Sequence, residues 1–142
     1  MAYEALCAGG FEHIERNVAY GDLGLNVDFR ARDADGGVWL FDLSGAYSAT
    51  RPGLRRPEVM WKVLGKACVL HEARRRDVTR GDVGPLILLS TDVPAPRSAG
   101  GKALRAVQSE DGDGPIRDVL ELLDTESMDR LRAYGRGERT ER

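Results

Sequence analysis

The sequence predicts an α/β domain, an α+β sandwich with a mixed central sheet flanked by helices, and three stretches carry that prediction. Residues 11–44 hold three runs of alternating apolar and polar residues separated by Gly-containing turns, which is the periodicity of strands. Residues 57–76 begin with a proline and repeat their apolar residues at helical spacing. Residues 85–90, Pro-Leu-Ile-Leu-Leu-Ser, form a short continuous apolar run, as expected of a strand buried on both faces. A helix between the third and fourth strands makes a crossover, so an antiparallel meander is joined to a parallel strand.

The elements follow in order. Residues 2–8 form a short helix, broken by Gly9-Gly10. Phe11 to Tyr20 is a strand with Ile14, Val18 and Tyr20 on its apolar side, ended by Gly21-Asp22. Leu25, Val27, Phe29 and Ala31 alternate with Asn26, Asp28, Arg30 and Arg32 in a second strand, and Asp35-Gly36-Gly37 supplies the hairpin turn. Val38 to Ser44 is the third strand, with Val38, Leu40, Asp42 and Ser44 on one face. Residues 45–56 are a loop of small residues with three arginines. Pro57 suits the first turn of the next helix, Glu58 its dipole, and Arg74-Arg75-Arg76 its C-terminal end. After Pro94-Ala95-Pro96, Ser98 caps a helix reaching about Gln108. A Gly/Asp linker follows, and residues 116–134 read as one or two amphipathic helices. The reading is one domain over 1–134 and a flexible tail over 135–142.

Composition narrows the class. The 42% apolar and 31% charged residues are those of a globular domain, and no apolar run is long enough to span a membrane. The N-terminus lacks the basic-then-apolar pattern of a signal peptide, so the cytoplasm is the expected compartment. Cys7 and Cys68 lack metal-type spacing and read as buried free thiols. The net charge of −2 is unevenly spread: residues 1–50 carry 3 basic and 8 acidic residues, whereas residues 51–80 carry 9 basic and 3 acidic. A basic block beside acidic strands suits an enzyme that holds a metal with carboxylates and flanking phosphates with guanidinium groups.

Asp28 and Asp42 are the chemical centre of the sequence. Each lies late in an apolar strand, where a carboxylate is costly unless a cation meets it. The chain has 21 basic residues, yet lysine is rare among them, and Lys62 and Lys66 both fall on the helix after the second acidic strand. With Val59 as origin and roughly 100° per residue, Lys66 falls at about −20°, on the face of Leu70 and Val63, and Lys62 at about −60°, on its edge. A lysine in an apolar stripe either snorkels outward or meets a buried negative group. Its compact ammonium is not interchangeable with the guanidinium the chain otherwise favours.

A helix, a three-stranded meander with one acidic residue late in its second strand and another late in its third, then a helix and a buried strand, resembles the PD-(D/E)xK nuclease superfamily, the restriction endonuclease-like fold. The resemblance covers roughly residues 2–90. Asp28 matches the first acidic position, with Val27 in place of the proline, and Asp42 the second. Ser44 stands where the motif has lysine, a departure matched by the variant in which the lysine moves to the following helix, here Lys66 or Lys62. The resemblance implies a Mg²⁺-dependent endonuclease, with Mn²⁺ able to substitute, acting on duplex DNA in restriction, defence or repair. The metal would be held by Asp28, Asp42 and the Leu43 backbone carbonyl, with Glu15 or Glu4 as additional acidic groups. Arg51, Arg55, Arg56, Ser44 and Tyr47 would contact DNA, and Trp61 would stack or pack as core. A homodimer would cut both strands. The alternative is a catalytically inactive nuclease-like domain that binds nucleic acid or a protein partner.

Overall fold

A computed structural model describes residues 1–44, 54–108 and 113–138. Helix α1 (Ala2–Ala8) leads into β1 (Glu12–Tyr20), and a 3₁₀ turn (Gly21–Leu23) into β2 (Leu25–Arg32). The chain continues through β3 (Val38–Ser44), α2 (Pro57–Arg75), β4 (Leu86–Ser90), α3 (Ala99–Ala106), β5 (Asp118–Glu121) and α4 (Thr125–Gly135). The five strands form one mixed sheet in the order β1-β2-β3-β4-β5. The β1–β2 and β2–β3 pairs are antiparallel; β3–β4 and β4–β5 are parallel.

The turn before β3 is built by one carboxylate. Asp33 accepts from the backbone N–H groups of Asp35 and Gly37 and from Trp39 Nε1, at 2.8–2.9 Å, which fixes the hairpin and the Trp39 ring together. At the start of β4, a Cβ on Gly84 would lie 1.8 Å from the Val38 carbonyl oxygen, so only glycine lets this segment run against β3.

The sheet separates two apolar layers. Phe11, Phe29, Trp39, Phe41, Ile87 and Leu89 pack against Leu6 of α1 and against Leu131 and Tyr134 of α4. On the other face Leu40, Leu86 and Leu88 pack against Met60, Leu64, Ala67 and Leu70 of α2 and Leu104 of α3. The fold is therefore an α/β sandwich with helices on both faces of the sheet. No helix among the described residues is long and apolar enough to cross a membrane.

Four expectations are corrected. Residues 118–121, expected to be helical, form the edge strand β5: Ile116, Leu120 and Leu122 are buried at two- and four-residue spacings that fit strand as well as helix, and pairing with β4 decides between them. The buried face of α2 is centred on Met60, Leu64, Ala67, Leu70 and Ala73, about 60° around the helix from Val59. That rotation leaves Val59 half-buried. It also places Cys68 on the outer face, and both cysteines are free and exposed, not buried. Gly135, assigned to the tail, closes α4, and its carbonyl accepts from Ala34 N–H at 2.8 Å.

Candidate active site

Strands β2 and β3 pair in regular register from Arg32 opposite Val38 to Phe29 opposite Phe41. The next step holds Asp28 and Asp42, and here side chains replace the backbone ladder. The Asp28 N–H donates to Asp42 Oδ1 at 3.0 Å, and the Leu43 N–H donates to Asp28 Oδ2 at 2.7 Å. Each carboxylate thus satisfies a backbone donor of the opposite strand where the two strands part. Beyond this point β3 runs on beside β4, with Asp42, Leu43 and Ser44 opposite Leu88, Leu89 and Ser90. In a strand a residue's C=O points to the same side as its N–H, so the Leu43 carbonyl faces the fork with β2.

Asp42 is 3% exposed and shares the α2 side of β3 with Leu40. From the edge of α2, Lys66 places Nζ 2.8 Å from Asp42 Oδ2, its own side chain remaining about a quarter exposed (27%). Burial raises the Asp42 carboxyl above the ordinary carboxylate range; the hydrogen bond and charge of Lys66 pull the other way, and the Asp28 charge adds to the rise. Further hydrogen-bonding capacity near the pair lies on β3 itself. Ser44 is 5% exposed, and its Oγ is buried without a hydrogen-bond partner among the described residues. A buried unpaired hydroxyl costs about 1–3 kcal/mol.

Of the anticipated residues, Asp28, Asp42, Lys66 and the Leu43 backbone come together, and Ser44 follows two residues on along the same face of β3. Lys62 does not join them: the rotation of α2 leaves it exposed, one turn short of Lys66 and outside the interface. Glu15 is held by Arg30 at 2.6 Å, and that guanidinium also lies 3.5 Å from Asp82. The Arg30 hydrogen bond lowers the Glu15 carboxyl below its usual range. Glu4 belongs to α1, which packs on the far face of the sheet, and it pairs with the N-terminal ammonium. Arg55 pairs with Asp92 at 2.9 Å and donates to the Val93 carbonyl, while Arg56 stands exposed immediately before α2. Trp61 is 62% exposed on the face of α2 turned away from Lys66, and so is not core. Tyr47 and Arg51 lie outside the described residues.

Ser90 was not anticipated. It is fully buried beside Ser44, donates from Oγ to the Ser44 carbonyl at 2.6 Å and accepts from Asp92 N–H at 3.0 Å, so it ties the C-terminal ends of β3 and β4 together. The signal in the sequence is the single polar residue closing the run Leu86–Ser90.

Among the described residues no group of three His, Cys, Asp or Glu side chains converges. A hard divalent cation such as Mg²⁺ needs only one or two carboxylates when water and substrate oxygens complete its shell. Two carboxylates from adjacent strands, with a carbonyl facing the fork and, further along β3, an unpaired buried hydroxyl, are oxygen donors of the type such an ion takes. The residues therefore fit the ion. Comparison of the chain with protein-family models, with curated proteins and with solved structures gives no match.

Proposed function

We propose that this chain has a restriction endonuclease-like core and is a Mg²⁺-dependent endonuclease that hydrolyses DNA phosphodiester bonds, acting in restriction, defence or repair. The observation that carries the reading is the 2.8 Å approach of Lys66 Nζ to Asp42. A lysine from the following helix meets the second acidic residue, in the role that Ser44, two residues after Asp42, does not fill.

Asp28, Asp42 and the Leu43 carbonyl would hold the metal, which polarises the scissile phosphate and supplies an acidified water when bound. Lys66 orients the attacking water and offsets the charge that develops on the phosphate. Arg56, with Arg51 in the same basic segment, grips flanking phosphates, positioning the duplex without reading its sequence. Cleavage of supercoiled plasmid in Mg²⁺ tests the reading. Lys66→Ala is expected to lower the rate by about 10²–10³, as for loss of one charge-stabilising group, while Lys62→Ala stays near the parent. No cleavage by the parent across duplex, branched and single-stranded DNA overturns the assignment.

One observation favours the inactive alternative. Both oxygens of Asp42 already have partners, Oδ1 in the Asp28 N–H and Oδ2 in Lys66. In that case the trio is a structural clasp, and the chain binds DNA or a protein without cutting. DNA retention in a mobility shift together with no cleavage at any Mg²⁺ or Mn²⁺ concentration is the outcome that selects it.

A further inference from the structure

We propose that the hydroxyl of Ser44 is an oxygen ligand of the divalent cation held by Asp42 and Asp28. The inference rests on the metal reading above and adds a ligand to it. Ser44 and Asp42 lie two residues apart on β3, so both side chains leave the same face of the sheet. Their Cβ atoms are separated by about 6.5–7 Å at the usual strand rise. A carboxylate and a hydroxyl at that spacing can both reach one hard cation, with oxygens at about 2.0–2.4 Å from it, once the two side chains lean toward each other.

Among the described residues nothing engages the hydroxyl. The serine next to it, Ser90, spends its own hydroxyl on the Ser44 carbonyl and the Asp92 N–H. Ser44 Oγ is buried and has no partner among the described residues, in a residue 95% removed from solvent and beside a carboxylate that is equally buried. A methyl group would sit there at less cost, so a hydroxyl kept in that position is best matched to an occupant that needs its lone pairs. The same assignment accounts for the departure from the motif. A lysine at 44 would place an ammonium where a cation binds, whereas a serine contributes a ligand and leaves the ammonium to Lys66, which reaches Asp42 from α2.

The test is calorimetric titration with Mn²⁺ alone, on the full chain, paired with thermal melting in EDTA. Ser44→Ala is expected to weaken Mn²⁺ binding about tenfold or more, the scale on which groups that complete a metal site matter, while melting no lower than the parent in EDTA. Ser44→Thr and Ser44→Val have the same shape and differ in the hydroxyl, so Thr should bind Mn²⁺ more tightly than Val. Equal affinities for the parent and Ser44→Ala, or for the Thr and Val variants, overturn the assignment. If Asp42→Ala abolishes binding while Ser44→Ala does not, the acid-pair reading stands and only the Ser44 ligand falls. A parent that binds no Mn²⁺ removes both.

Discussion

Asp42 suits the fold better protonated than ionised. Its carboxyl is raised by burial, so the native state holds the proton more tightly than the unfolded chain does. The stability it contributes is complete below the ordinary carboxylate range and is lost as pH rises through the raised value. Asp42→Asn keeps an oxygen to accept from the Asp28 N–H and removes that loss. Its melting temperature should therefore exceed the parent's at neutral pH, and the gap should close as pH falls into the carboxylate range. The comparison must be between variants, because other carboxylates act in the opposite sense. Glu72, held at about 2 chiefly by the Arg75 hydrogen bond, gives up its ion pairs as acid is added. Parallel pH profiles for the parent and Asp42→Asn would show that burial does not govern Asp42. A residue kept ionisable at a cost to stability is the pattern of a functional group.

Among the elements, glycines make the sharpest predictions. Gly84 has the Val38 carbonyl in the place of a Cβ, and Gly135 has the Gly9 carbonyl there, both at 1.8 Å. Alanine at either position forces backbone apart and should cost upward of about 3 kcal/mol in urea unfolding, beyond the ordinary range for point mutants. Gly65, inside α2 with nothing within 4 Å of its Cβ site, should gain about 0.5–1 kcal/mol as alanine. The strands of the meander and α2 were legible because alternation and helical spacing are local properties. The rotation of α2 was not, because it depends on which side chains Leu40 and Leu88 select across the interface, and they select Met60 and Leu64 over Val59. That choice also separates Lys66 from Lys62, which the helical wheel left as alternatives. Strand β5 was misread for a related reason: four residues carry too little periodicity to outweigh a neighbouring helix, and only β4 pairing reveals them. The acid pair was found from the cost of carboxylates in apolar strands. Its reciprocal hydrogen bonds were beyond the sequence, since they need the register of β2 against β3.

For the whole molecule, the sandwich makes the site part of the folding equilibrium. The candidate ligands come from β2 and β3, at the middle of a sheet covered on both faces, so they converge only when the sheet is assembled. Mn²⁺ should stabilise the native state by mass action, by about 2.7 kcal/mol at one hundred times its dissociation constant. The Asp28→Asn/Asp42→Asn double variant should show no such gain in denaturant melts, and an equal gain would place the ion elsewhere. The two amides bound by the acid pair have a use of their own. The Asp28 N–H ends on an Asp42 oxygen and the Leu43 N–H on an Asp28 oxygen, so each proton resonance senses the charge of one carboxylate. In a nuclear magnetic resonance titration these two signals form a built-in indicator, one for each carboxylate, and a cation arriving at the fork should move both.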